Sequence, residues 1–261
     1  MLESRRHRVG LSWCLFLIVA YANVVQHCYL PDAVANAWYN EVGYDMGAHE
    51  LKLRSSAGYW VYLTAQILFM LAAFLGASAG AETLVLFSPK AGARTAAVIY
   101  STTPLCLGLA LVCYVLFVFF YVLMMTLNPT WRDQWSYYEA LGYPYERWMH
   151  MMHTPIWLCP LADLVFVKDA AILRKAMPAA QTLAAATVGY IGFYAAVSHV
   201  NYAHTRCYCY PWLHDIQESA GAPGFAAYYA GVCVPVLAVV FGCCAACRNR
   251  PDSQKATKKR R

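Results

Sequence analysis

Six long apolar segments, separated by short polar stretches, constrain this chain more than any other feature. The chain is 60% hydrophobic and only 13% charged, which is too apolar for a soluble domain of 261 residues. In lipid the backbone must satisfy its own hydrogen bonds, and the segments lack the alternation of a membrane barrel. Each segment approaches the ~20 residues that a spanning helix needs. We therefore expect an all-α, polytopic membrane protein, a six-helix transmembrane bundle with spans at about 9–30, 58–81, 103–127, 149–167, 181–203 and 224–247.

The basic residues predict how this bundle is oriented. Fifteen of the 20 Lys and Arg residues fall in the N-terminal segment, the second and fourth loops and the tail. Because cytoplasmic loops carry the excess of Lys and Arg, both termini are predicted to be cytosolic. The expected organisation is one transmembrane domain, 1–247, and a basic cytosolic tail, 248–261. The first span also resembles a cleavable signal peptide. Its full crossing length favours an uncleaved span, and cleavage would not change the orientation downstream.

The tail predicts a compartment. It ends in Lys258-Lys259-Arg260-Arg261, with lysines third and fourth from the end, as in a dilysine retrieval signal. This spacing predicts the endoplasmic reticulum membrane. A short basic tail attracted to anionic lipid explains the same residues, so the plasma membrane is the alternative.

Two groups of cysteines have open assignments. Cys28, Cys207 and Cys209 lie on the predicted lumenal side, where they could form a disulfide or remain free. Cys243, Cys244 and Cys247 end the sixth span at the predicted cytosolic boundary. They are candidates either for palmitoylation or for close packing as small residues.

The fourth segment contains two prolines and one carboxylate. Pro155 and Pro160 predict a bent helix whose backbone lines a cavity. Asp163 lies about 15 Å along the helix from His153. We therefore expect Asp163 to be a neutral or paired structural carboxyl that does not orient that histidine.

Three polar side chains are predicted at similar depth near the lumenal face. Thr64 lies roughly 9 Å inside the second predicted span, and His153 and His199 lie about one turn inside theirs. Histidines within a membrane are costly and indicate a functional site. A neutral imidazole can take the proton of a hydroxyl as it attacks an acyl carbon, so Thr64 is the candidate nucleophile and His153 the candidate base. His150 shares the helical face of His153, and no oxyanion donor can be identified.

The common signatures of soluble enzymes are absent from the sequence. It contains no G-x-S-x-G elbow, H-E-x-x-H helix, P-loop or G-x-G-x-x-G turn. Attack by a threonine requires no metal. We expect no cofactor and no nucleic-acid partner.

Several short motifs resemble a known family. They are Trp60-Val61-Tyr62-Leu63-Thr64, His150-Met151-Met152-His153-Thr154, Gly189-Tyr190-Ile191 with Ser198-His199-Val200, and Tyr210-Pro211-Trp212-Leu213. In order and position the chain resembles the androgen-induced-gene-one family of multi-span membrane threonine hydrolases. These enzymes cleave fatty acid esters of hydroxy fatty acids.

The resemblance implies a role for each matching residue. It places the nucleophile on Thr64 and the essential histidine on His153. His199 is similar to the second member of a histidine pair whose first position holds Ser198 here. The implied partners are a lipid ester substrate and the membrane lipids around it, and the implied cofactor is none.

Two alternatives come from other functional classes. His150, His153, His199 and His204 lie near one predicted membrane face and could bind haem or a metal. The chain could also be a non-enzymatic lipid-binding protein in which Thr64 is a packing hydroxyl.

Overall fold

The chain forms a bundle of long helices in a computed structural model. The structure describes residues 2–28, 44–45, 50–51, 62–127, 136, 139–140, 142, 145–206, 208 and 210–249. Apart from one two-residue antiparallel pair, β1 (Tyr44–Asp45) with β2 (Glu50–Leu51), its elements in these ranges are helices, as the all-α prediction requires. They are α1 (Leu2–Cys28), α2 (Leu63–Phe87), α3 (Pro89–Ser101), α4 (Thr103–Leu127), α5 (Tyr145–Ala162), α6 (Ala170–Ala176), α7 (Ala180–Thr205), α8 (Pro211–Ser219) and α9 (Gly221–Asn249).

Five helical stretches of the described chain are long and apolar enough to cross a membrane. They are Arg5–Val25, Leu63–Phe87, Pro89–Val118, Ala180–Thr205 and Gly221–Asn249. The predicted span at 149–167 is not one of them, because α5 is shorter and less apolar. The five stretches indicate a multi-pass membrane protein.

Helix α2 packs against four other helices of the bundle. It contacts α1, α3, α4 and α5, and its residues Leu68, Leu71 and Leu75 are fully buried. Asn23 of α1 donates a hydrogen bond from Nδ2 to the Leu68 carbonyl at 3.1 Å. These contacts fix α2 against its neighbours, so the side chains of its first turn face α4 and α5 in a defined position.

Helix α2 begins later than its predicted span. Tyr62 has extended backbone angles (φ −87°, ψ 130°), and the helix starts at Leu63. Thr64 is therefore the second helical residue instead of lying about 9 Å inside the helix. The predicted first residues, 58–61, lie outside the described part of the chain. Apolar composition could not reveal this start, because Tyr62 makes no side-chain capping bond and so supplies no capping signal.

Helix α5 contains the two prolines from which a bend was predicted, and it continues into a wider, π-helical turn. Pro155 and Pro160 lie inside α5, and residues Asp163–Val167 form a π-helical turn. The Lys168 N–H donates to the Asp163 carbonyl, five residues earlier, at 3.0 Å. Such single π turns are uncommon and occur frequently at functional positions.

Two of the three cysteines near the end of α9 are packing residues. Cys244 and Cys247 are buried among apolar side chains, whereas Cys243 is partly exposed. Burial of these two thiols favours the packing interpretation for them. Cys207, Cys209 and the basic tail at 250–261 lie outside the described residues, so the predictions that concern them stay predictions.

Candidate active site

The structure brings Thr64 of α2 and His153 of α5 into hydrogen-bonding contact. Thr64 Oγ1 lies 3.1 Å from His153 Nε2. These residues are 89 positions apart in the chain and meet because both α2 and α5 pack against α4. Thr64 is half-buried, and His153 is only 6% exposed.

The partner of the second ring nitrogen of His153 determines which atom is the donor in the hydrogen bond between Thr64 and His153. His153 Nδ1 lies 2.7 Å from the Met149 carbonyl oxygen, one turn earlier in α5. A carbonyl can only accept, so Nδ1 carries the hydrogen and the neutral ring keeps the lone pair on Nε2. The Thr64 hydroxyl therefore donates to His153 Nε2, which is the arrangement that a general base requires.

The imidazole is held in place by an aromatic neighbour. Phe117 of α4 stacks on the His153 ring with centroids 3.9 Å apart and planes 9° apart. Cys113, one turn earlier in α4, places its Sγ 3.7 Å from Thr64 Oγ1. The pair thus lies in a narrow gap between α2, α4 and α5.

Thr64 lies at the start of α2, where a helix offers unpaired backbone N–H groups. The first intrahelical bond there runs from Gln66 N–H to the Tyr62 carbonyl at 3.2 Å. The N–H groups of the preceding first-turn residues have no acceptor within the helix. This end of a helix also carries partial positive charge. Both effects favour negative charge beside the Thr64 backbone.

Of the other predicted histidines, His150 shares the Phe117 ring with His153, whereas His199 has partners of its own. His150 is exposed and meets the edge of the Phe117 ring at 6.2 Å between centroids. His199 of α7 lies in a separate aromatic cluster, with Nδ1 at 3.1 Å from the Tyr208 hydroxyl and Phe225 at 4.6 Å between centroids. His204 is exposed on the last turns of α7.

Tyr208 links His199 to α8. Its hydroxyl donates to Gln217 Oε1 at 3.3 Å, so the hydroxyl oxygen accepts from His199 Nδ1. Burial raises the pKa of Tyr208, which keeps this hydroxyl protonated. Ser198, which occupies the first position of the predicted histidine pair, is fully buried, and its Oγ has no hydrogen-bond partner within the described ranges. His199 therefore belongs to a polar and aromatic cluster of its own.

The four histidines of the metal or haem alternative belong to two helices, His150 and His153 to α5 and the other two to α7. Among the residues that the structure describes, no group of three or more His, Cys, Asp or Glu side chains could hold a metal ion. His153 is already engaged by Thr64 and the Met149 carbonyl.

An apolar cleft adjoins the Thr64 side of the pair. Its volume, the open mouth included, is about 460 Å³, and α2, α4, α7 and α9 form its walls. Leu63, next to Thr64 in the chain, and Cys113, which touches the Thr64 hydroxyl, both line it. Neither Thr64 nor His153 is itself a lining residue.

A second polar cluster lies in the bundle, near the end of α5. Lys168 Nζ forms an ion pair with Asp163 Oδ2 at 2.5 Å, and both side chains are fully buried. Ser78 of α2 donates to Asp163 Oδ1 at 3.2 Å. Asp163 is thus a paired carboxyl and makes no contact with His153, in agreement with the sequence prediction.

Sequence reasoning missed the groups that hold the pair in place. Phe117 and Cys113 belong to a uniformly apolar α4, so no pattern distinguishes them from lipid-facing neighbours. The Met149 carbonyl is a backbone group that every residue possesses. Every helical side chain lies over the preceding turn, so this arrangement gives no sequence signal specific to His153.

No protein-family model, curated protein or solved structure matches this chain.

Proposed function

We propose that this protein is an integral-membrane lipid ester hydrolase with Thr64 as nucleophile and His153 as general base. The observation that carries the proposal is the hydrogen bond of 3.1 Å from Thr64 Oγ1 to His153 Nε2, with Nδ1 fixed by the Met149 carbonyl. A hydroxyl at neutral pH is a weak nucleophile, and a positioned base activates it.

Acylation follows from this geometry. His153 Nε2 takes the Thr64 proton as Oγ1 attacks the ester carbonyl carbon, which forms a tetrahedral intermediate. Its collapse breaks the bond to the alcohol oxygen, and that oxygen receives the proton from His153 Nε2. The products of this half-reaction are a free alcohol and an acyl group on Thr64.

The first turn of α2 supplies the oxyanion stabilisation that the mechanism needs. The negative oxygen of the intermediate develops within bonding distance of the nucleophile's own residue, and first-turn N–H groups lie there without intrahelical acceptors. Backbone donors at a helix start are a recurrent way to stabilise an oxyanion or another anion. The sequence identified no side chain for this task because backbone groups perform it.

Deacylation repeats the same proton transfers with water as nucleophile. His153 Nε2 takes a proton from water, which attacks the acyl carbon, and returns it to Thr64 Oγ1 as the fatty acid departs. Every proton moves between Nε2 and an oxygen beside it. The stacked Phe117 ring keeps Nε2 directed at the Thr64 oxygen during both half-reactions.

The proposal also covers the position of the site in the membrane, the class of ester and the compartment. Two cytosolic termini and six spans would put the first turn of α2 at the lumenal interface, where the ester groups of lipids lie. The motifs shared with the androgen-induced-gene-one family support esters of hydroxy fatty acids as substrates. The dilysine spacing supports the endoplasmic reticulum.

The test is hydrolysis of a fluorogenic fatty acyl ester by the full chain purified in detergent. Thr64→Ala should abolish turnover, and His153→Ala should lower kcat by ~10²- to 10⁴-fold, the usual contribution of a general base. Matched controls are Thr187→Ala, a fully buried threonine on α7, and His204→Ala, an exposed histidine. Both controls should retain wild-type turnover.

Two outcomes would overturn the proposal. Normal turnover by either site variant would remove the proposed mechanism. Lipid binding without turnover by the wild-type protein would favour the non-enzymatic lipid-binding alternative.

A further inference from the structure

The apolar cleft beside Thr64 is closed at one end and open at the other. On three of its helices the innermost lining residue is buried: Ile67, Leu109 and Val236 are 1%, 4% and 2% exposed. On α7 the innermost lining residue, Tyr190, is half-buried, and the next one, Ile191, is 9% exposed. At the other end, where α2 begins, Leu63 and Tyr228 are only half-buried. The cleft extends about 12 Å along α9 from Tyr228 to Val236, at ~1.5 Å per residue.

The lining is suited to hydrocarbon. Its side chains are aliphatic or aromatic except for the Cys113 thiol, and the hydroxyl of Tyr190 is turned onto Gln66 Oε1 at 3.5 Å. Such a lining suits an apolar chain better than a charged or strongly polar ligand.

The proton transfers decide which half of an ester this cleft would take. The alcohol oxygen must receive its proton from His153 Nε2, so the alcohol half lies on the His153 side of Thr64. The acyl half then lies on the other side of the scissile bond. The cleft is lined by Cys113, which touches the Thr64 hydroxyl, and it is not lined by His153. The half that the cleft would take is therefore the half away from His153, which is the acyl half.

We propose that this cleft is the acyl-chain subsite and that its inner end limits the length of acyl chain that the enzyme accepts. The inference rests on the proposed hydrolase function and adds the binding position of the acyl chain. The alcohol half lies outside the cleft, so its size is not limited by the same residues.

The test changes the volume of the cleft at one residue. Val236→Phe fills the inner end, and Val234→Phe adds the same ring two residues away on the same helix, at a side chain that is 67% exposed. The full chain in detergent is assayed with two series of water-soluble esters. In one series only the acyl chain lengthens, and in the other only the alcohol lengthens.

The expected result is a selective loss of acyl-length dependence. In the wild type and in Val234→Phe, kcat/KM should rise by about fourfold for each added acyl methylene, the gain for moving a methylene out of water, until the cleft is filled. In Val236→Phe the rise should stop at shorter acyl chains. The acetyl ester should react at the wild-type rate in both variants, and the alcohol series should be the same in all three proteins.

The failures of the two proposals can be told apart. Equal acyl-length profiles in Val236→Phe and Val234→Phe, with acetyl ester turnover intact, would overturn the acyl subsite alone. Absence of Thr64-dependent turnover for every ester would overturn the hydrolase function, and the inference with it.

A second pair of variants covers the case in which Val236→Phe does not fold. Ile191→Phe fills the same inner end from α7, and Val188→Phe is its control at a side chain that is 51% exposed. If both filling variants misfold, wild-type protein is labelled with a fatty acid carrying a terminal diazirine. Crosslinks to α4 and α9 beside the cleft would support the subsite, and crosslinks confined to the exposed outer faces would overturn it.

Discussion

At the scale of single residues, the site depends on how one imidazole is oriented. A backbone carbonyl takes the place that a carboxylate has in a serine-protease triad, because Met149 accepts from His153 Nδ1. A neutral carbonyl fixes the tautomer without placing a negative charge in an apolar bundle. Phe117 restricts the ring further by stacking on its face.

Phe117→Leu should loosen this orientation. Leucine keeps most of the apolar volume, so we expect a loss of stability below ~1.5 kcal/mol. Without the stacked ring, His153 Nε2 is less often aligned with Thr64, and kcat should fall about tenfold while KM changes little. Steady-state kinetics on a short-chain ester measures both parameters. Phe193→Leu, at a side chain that is 58% exposed, is the control; equal kcat in the two variants would show that the stacking has no role in catalysis.

At the scale of elements, α5 has two separate polar attachments. One is the hydrogen bond between His153 of α5 and Thr64 of α2. The other is the ion pair of Asp163 with Lys168 at the π turn, where Ser78 of α2 donates a hydrogen bond to Asp163. Lys168 also lies 4.6 Å and 4.5 Å from the ring centroids of Phe74 and Tyr100. Both attachments hold α5 on α2, so the ion pair helps to fix the helix that carries the histidine.

Lys168→Met should destabilise the fold strongly. It leaves the Asp163 carboxylate buried without its cation, and breaking a buried pair in this way costs about 3–5 kcal/mol. The double variant Asp163→Leu with Lys168→Met removes both charges and should recover most of that loss. Thermal unfolding of the detergent-solubilised protein measures the effect, with Lys175→Met, at an exposed lysine on α6, as the control. A melting temperature for Lys168→Met equal to that of the control would contradict the structural role of the pair.

The element scale also shows where sequence reasoning succeeds and where it stops. Apolar length located α2, α4, α7 and α9 because the bilayer sets one length for every span. Apolar length could not locate the first residue of α2, because the sequence from Tyr59 to Leu63 is continuously apolar and contains no capping residue. Placing Thr64 in the first helical turn changes the chemistry, because only there do its backbone neighbours offer unpaired N–H groups.

At the scale of the whole molecule, the bundle is apolar on its outside as well as inside. Large apolar side chains on α1, α7 and α9 are exposed, among them Ile18, Phe193 and Val234. A soluble protein rarely exposes so many, whereas a lipid-facing surface requires them.

The pairing of Thr64 with His153 was predicted from depth in the membrane and from the family resemblance. Depth alone could not establish their contact, because residues at one level can face opposite sides of their helices. The contact depends on the packing of α2 and α5 against α4. His199 was at the same predicted level and lies instead against Tyr208 and Phe225. The rotation of each helix about its axis is the information that the sequence lacked.

The most direct measurement of the central claim is covalent labelling of the intact protein in its membrane with a fluorophosphonate probe. Tryptic peptides are then mapped by mass spectrometry in the wild type, Thr64→Ala and Thr187→Ala. An activated hydroxyl predicts one adduct on Thr64, present in the wild type and in Thr187→Ala and absent from Thr64→Ala. An adduct elsewhere that survives in Thr64→Ala, or no adduct in folded wild-type protein, would contradict Thr64 as the nucleophile.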